Sequence, residues 1–116
     1  MHSEELLDLA QTSLEDLKAK DVRVFDVRNM TSVTDYLLVA SGTSDRHVRS
    51  LSDKLIQNVK EAGQPPLGVE GQDAGEWVLI DLNDVVVHVM QPRTREFYKL
   101  EDLWTLGSEE LEQAGH

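Results

Sequence analysis

The stretch from Trp77 to Met90, WVLIDLNDVVVHVM, leaves this chain few ways to fold. Apolar runs flank Asn83-Asp84, a pair suited to a two-residue turn because Asn tolerates positive φ and Asp is a common turn residue. The pattern predicts a β-hairpin in which Leu82 pairs with Val85, Ile80 with Val87 and Val78 with Val89. Side chains alternate along a strand, so these six share one face, and that wholly aliphatic face belongs in a core. The opposite face collects Trp77, Leu79, Asp81, Val86, His88 and Met90. Two titratable groups beside an indole and a thioether fit a surface that meets another protein better than a dry interior.

Composition narrows the class. The 116 residues suffice for one domain with one core. Cysteine is absent, which removes disulfides and thiolate chemistry and suits a reducing, cytoplasmic setting. No apolar run approaches the ~18 residues of a membrane span. The acidic start, MHSEELLDLA, lacks the basic region of a signal or transit peptide. Charge is more telling. Twenty-two acids face eleven bases, for a net charge of −11 with histidine neutral. No Lys or Arg lies between Lys60 and Arg93, or after Lys99, while acids occur in both stretches. Nucleic-acid binding draws much of its affinity from cations on phosphates, so little direct nucleic-acid contact is expected. A partner near RNA would be a basic protein.

Periodicity supplies the remaining elements. Leu6, Leu7, Ala10, Leu14 and Leu17 recur at helical spacing over residues 4–20, with Ser3 as the cap. Val22 to Val27 alternates as a strand, and Asp35 to Ser41 is a continuous apolar run, as in a strand covered on both faces. Thr43 or Ser44 caps a long helix that runs to Ala62 with the stripe Val48, Leu51, Leu55, Ile56 and Val59, and Gly63 suits the left-handed residue beyond it. Pro65-Pro66 leads into a short strand, Leu67 to Glu70. Pro92 opens a helical segment, Arg93 to Trp104, with Phe97, Leu100, Leu103 and Trp104 on its stripe and Tyr98 off it. The expected fold is one α/β domain over residues 1–104, a mixed β-sheet flanked by helices, and residues 105–116 form a frayed tail.

Several residue groups invite a chemical reading. Ser41-Gly42-Thr43-Ser44 lies between a strand and a helix start, where backbone N–H groups can hold an anion, but no phosphate-loop motif is present and capping explains it. Arg46 opposes the dipole of that helix, and with His47 suggests work other than helix formation. Asp81, Asn83 and Asp84 resemble a strand-borne metal cluster, yet they also suit a tight turn. No metal, cofactor or catalytic group is expected. His88 has no partner at ligand spacing, so a hydrogen bond to Asp81 across the hairpin, or to a partner group, is expected. Trp77 is the sharpest candidate. Burying an indole removes up to ~250 Å² from water, an upper bound of ~6 kcal/mol, and a residual of ~2 kcal/mol still makes a hot spot. Tyr98 extends the same patch.

Several separate motifs, in order, resemble the Iojap-related ribosomal silencing factors. They are DYLLVASGTSDRHVRSLSD from Asp35, PLGVEG from Pro66, GEWVLIDLNDVVVHVMQ from Gly75 and REFYKLEDLW from Arg95 to Trp104. The resemblance implies a small α/β domain of nucleotidyltransferase-like topology with no established catalysis, often a homodimer. It implies binding to the large ribosomal subunit through its fourteenth protein, which blocks small-subunit joining and lowers translation when nutrients are short. Organellar relatives act in large-subunit assembly. The matching positions make Trp77 and Tyr98 contact residues, with Asp81, Leu82, His88 and Met90 near them. Many relatives read Asp-Leu-Gly-Asp at the turn where this chain has Asp81-Leu82-Asn83-Asp84.

Overall fold

The structure, a computed structural model, describes residues 1–102 and 109–111. In chain order its elements are α1 (Ser3–Asp16), β1 (Lys20–Asp26), β2 (Tyr36–Ser41), α2 (Asp45–Glu61), β3 (Gly68–Glu70), β4 (Trp77–Asp81), β5 (Val85–Met90), α3 (Pro92–Tyr98) and β6 (Glu109–Leu111). The hairpin β4–β5 has the register read from its pattern, with Val78 opposite Val89 and Ile80 opposite Val87. Asn83 takes φ +75°, and its N–H donates to Asp81 Oδ1 at 2.8 Å. Leu82 N–H donates to the Val85 carbonyl at 2.9 Å and closes the turn.

The sheet runs β3-β4-β5-β2-β1, and β6 adds to the outer edge of β1. Only β2 and β5 are parallel, so the sheet is mixed, as expected for a single α/β domain. Helices α1 and α2 cover one face. Leu6, Ala10 and Leu14 from α1, with Val48, Leu51 and Leu55 from α2, pack on the aliphatic side of the hairpin and on Val24, Leu38 and Ala40. Burying each of these leucines contributes about 1.5–3 kcal/mol, which fixes the sheet against the helices. Among the described residues, no helix is long and apolar enough to cross a membrane.

Helix α1 stops at Asp16, short of the expected residue 20, because Lys18 turns the chain at φ +64°. Neither Gly nor Pro marks that turn. His47 explains how the end is held. Its Nδ1 accepts the Thr43 N–H at 2.9 Å, so Nε2 carries the proton and donates to the Leu17 carbonyl at 2.8 Å. The imidazole thus ties the end of α1 to the start of α2. Ser44 Oγ caps α2 by accepting the His47 N–H at 3.1 Å, and Gly63 takes φ +80° beyond its end.

The C-terminal part differs most from expectation. Helix α3 ends at Tyr98, where Lys99 adopts φ +48° as its cap; a left-handed lysine gives no warning in the sequence. Phe97, placed on a buried stripe by its spacing, is 78% exposed. No residue of α3 is buried, so the seven-residue helix is not held by an apolar stripe at all. The expected stripe residues Leu103 and Trp104 lie outside the described residues, as does most of the expected tail. Within that tail, Glu109–Leu111 pairs antiparallel with β1, Leu111 opposite Val24. The open edge of β1 offers unpaired backbone groups to any segment that can extend beside it.

Candidate functional site

The second face of the sheet is core on its β1–β2 side and open along β4. Phe25, Leu37, Val39 and Met90 form a buried apolar cluster, with Trp77, Val86 and Leu100 packed at its margin. Met90 is therefore an inner residue, 0% exposed, and does not reach a partner directly. Its pairing with Ser41 at the parallel β2–β5 seam puts it in the middle of the sheet. Leu82 is also inside, on the helix-covered face, as its place in the aliphatic row requires. Of the six residues that the resemblance singled out, the structure leaves Trp77 and Asp81 half-buried and Tyr98 exposed, while His88 is 8% exposed.

Trp77, Tyr98 and Phe97 make a continuous aromatic surface. The Trp77 and Tyr98 rings lie 5.0 Å apart, and Phe97 stands edge-on to Tyr98, also at 5.0 Å. The edge-on Phe97–Tyr98 pair is a favourable geometry for aromatic rings, and the Trp77–Tyr98 pair is tilted at 48°. Phe97 joins this surface although its helical spacing points inward.

The polar chemistry beneath the patch belongs to His88. Trp77 Nε1–H donates to His88 Nδ1 at 2.9 Å, diagonally across the hairpin. This takes the place of the expected bond to Asp81, whose Oδ1 accepts the Asn83 N–H in the turn. Burial pushes the imidazole pKa down, from 6.5 to about 4, so His88 is neutral at pH 7. Glu70, Gly71, Trp77, Leu79 and His88 line a shallow depression of about 240 Å³ beside the aromatic rings. Glu70, exposed and lining the depression, gives its rim a negative charge.

Two devices hold the patch in place. The first is Gly71, at φ +88°; a Cβ built there would lie 2.0 Å from the Trp77 carbonyl oxygen. Gly71→Ala is expected to cost at least about 2 kcal/mol in urea unfolding, from the positive φ and the backbone contact together. A variant as stable as the parent would show that the loop before Trp77 yields freely.

The second device anchors α3. Arg95 donates from Nε and Nη2 to Glu101 at 2.6 and 2.9 Å, and from Nη1 to Ser41 Oγ at 2.8 Å. Arg23 Nη1 donates to the same carboxylate at 2.8 Å. The Arg95 and Glu101 side chains are only 10% and 13% exposed. Burial by itself would raise the Glu101 pKa, but Arg95 and Arg23 together hold it below the usual carboxylate range. A charged clamp, not an apolar stripe, therefore sets where Tyr98 and Phe97 stand.

The other candidates are structural. Thr43 N–H and Ser44 Oγ are both used at the start of α2, and a Cβ at Gly42 would meet Val48 Cγ2 at 2.8 Å, so that loop serves the helix. Asp81 and Asn83 form the turn. Among the described residues, no group of three or more His, Asp or Glu is placed to hold a metal ion.

Comparison with known proteins agrees with this architecture. The family model described as "Ribosomal silencing factor during starvation" matches residues 1–115. The curated ribosomal silencing factor RsfS of Chromobacterium violaceum is 44% identical over 104 residues, 90% of this chain and 85% of that protein. A crystal structure of a Chromobacterium violaceum protein superposes with a TM-score of 0.88 at 44% identity, covering 90% of this chain and 87% of that one. The mouse protein named mitochondrial assembly of ribosomal large subunit protein 1 is 37% identical over 105 residues, 88% of this chain and 46% of that protein. An α/β fold with an aromatic patch on its open sheet face, matched along nearly its whole length, is thus a member of the ribosomal silencing factor family.

Proposed function

We propose that the chain is a non-catalytic repressor of translation that binds the large ribosomal subunit and keeps the small subunit from joining. The binding surface is the Trp77–Tyr98–Phe97 patch, and its target is the fourteenth protein of the large subunit. The exposed Tyr98 and Phe97 rings beside half-buried Trp77, at the open β4 side of the second sheet face, carry this reading. Aromatic residues are enriched among interface hot spots. Glu70 at the rim, in a stretch with no Lys or Arg, suits a basic protein and disfavours a grip on RNA phosphates. With extents of 34 × 34 × 26 Å, the molecule is large enough to hold two docking surfaces apart by occupancy alone.

Trp77→Ala is the test. The variant is expected to fold and to lose about 2 kcal/mol of binding, roughly 30-fold in Kd, when pelleted with purified large subunits. Small subunits are expected to pellet neither protein. In a light-scattering assay, saturating protein should suppress subunit joining and Trp77→Ala should not. A folded Trp77→Ala protein that pellets as well as the parent refutes the assignment of this face.

A second reading, a factor for large-subunit assembly, is favoured by the name of the mouse relative. It uses the same surface. Accumulation of immature large particles in a deletion strain, with normal joining of mature subunits, supports it over repression.

A further inference from the structure

His88 sits under the patch with one nitrogen already committed. The indole N–H of Trp77 is a donor only, so His88 Nδ1 must be the acceptor in their 2.9 Å bond. A neutral imidazole then carries its proton on Nε2. Among the described residues, none hydrogen-bonds to Nε2. No fully buried side-chain nitrogen or oxygen among them lacks a partner either, so Nε2 lies where His88 still touches solvent. His88 also lines the depression formed with Glu70, Gly71, Trp77 and Leu79.

We infer that His88 is the polar specificity determinant of this face, its Nε2–H donating to a backbone carbonyl oxygen of the partner protein seated over the depression. The inference rests on the reading of this face as the surface that meets the ribosome. A carbonyl is assigned over a carboxylate because Glu70 shares the depression, and two carboxylates there would repel each other. It is assigned over a cation because neither imidazole nitrogen has a lone pair to spare: Nδ1 receives the indole and Nε2 holds the proton. The low proton affinity of the buried ring keeps this arrangement unchanged through the neutral range. Trp77 and His88 then divide the contact. The indole, its N–H satisfied internally, offers only apolar ring surface, and the imidazole offers the directional bond. A partner that presented a donor at this point would leave two buried donors facing each other, which is how such a site rejects wrong partners.

The first test needs no variant. Long-range ¹H–¹⁵N NMR of the free protein reads the histidine tautomer; the Nε2–H form is expected for His88, and an Nδ1–H form overturns the inference. The second is a double-mutant cycle on large-subunit binding. In His88→Asn the amide oxygen falls near the place of Nδ1, so the indole keeps its acceptor while the far donor is lost. The expected result is roughly a tenfold rise in Kd with the Trp77 indole resonance little moved. The same fold-loss is expected in a Trp77→Phe background. No loss in that background means His88 acts only by orienting the indole, and the inference fails. Tighter binding by Glu70→Gln would assign the acceptor to a carboxylate and overturn the carbonyl. If Trp77→Ala leaves binding intact, the face itself is wrongly assigned; if Trp77→Ala abolishes binding while His88→Asn is harmless, only the donor role falls.

Discussion

Glu101→Ala is expected to lower the unfolding free energy by about 3 kcal/mol, read by urea denaturation. The carboxylate is the hub for two guanidinium groups, Arg95 at 2.6 and 2.9 Å and Arg23 at 2.8 Å. Removing it leaves Arg95, only 10% exposed, with the Ser41 hydroxyl as its remaining side-chain partner among the described residues. An uncompensated buried charge is the costly outcome, and the Coulomb energy of the pair itself is a smaller consideration. Glu101→Gln keeps the shape and one acceptor oxygen, so it should cost about half as much. The functional consequence follows from position. Arg95 lies within α3, whose last residue is Tyr98, and α3 has no buried residue of its own. Both variants should therefore weaken large-subunit binding even where the protein remains folded at assay temperature. A loss of stability below ~1 kcal/mol would mean that the pair behaves as an exposed surface bridge, and that α3 is held by something else.

This clamp also marks the limit of what the sequence makes legible. The hairpin register, the fully buried strand β2, a cap at Thr43 or Ser44 and the left-handed Gly63 follow from strong local rules: alternation, apolar runs, capping and glycine freedom. The structure bears each of them out. Expectation fails where a charged or non-glycine residue does a job normally signalled by glycine or an apolar stripe. Lys18 and Lys99 end α1 and α3 in the left-handed region, and nothing about a lysine announces it. Arg95 replaces a hydrophobic stripe, so Phe97 is free to face outward although its spacing suggested otherwise. At the site, the face of the hairpin that carries Trp77, His88 and Met90 is readable, but its division is not. Whether Met90 is wall or surface depends on β2, β1 and Leu100 closing over one half of the face, a tertiary arrangement without a local pattern. Trp77 and Asp81 both lie diagonal to His88 across the hairpin, so alternation alone does not choose between them, and the structure chooses Trp77.

His88 should make the protein lose stability on mild acidification, before its carboxylates titrate. In the folded chain burial lowers the imidazole pKa from 6.5 to about 4, while the unfolded chain protonates near 6.5. Between these values the unfolded state binds more protons, so stability rises with pH and falls as pH drops. The contribution is fully present above about pH 6.5–7. It has lost about 2 kcal/mol by pH 5 and about 3 kcal/mol once the pH falls below the folded pKa. Glu101 and Asp26, whose pKa values are lowered by Arg95 and Arg28 respectively, also stabilise the native state above the carboxylate range, but their loss comes later, as pH falls below about 4.5. Those two carboxylates therefore stay out of the interval from pH 7 to 5, and comparison of the parent with a His88 variant across it isolates this imidazole. His88→Asn keeps an acceptor for the indole and cannot titrate there, so its stability should be flatter than the parent's by about 2 kcal/mol across that interval. Parallel curves for the two proteins would show that the ring is protonated as readily in the folded state as in the unfolded one. That is incompatible with a neutral imidazole accepting the Trp77 N–H, because a doubly protonated ring has no lone pair to offer.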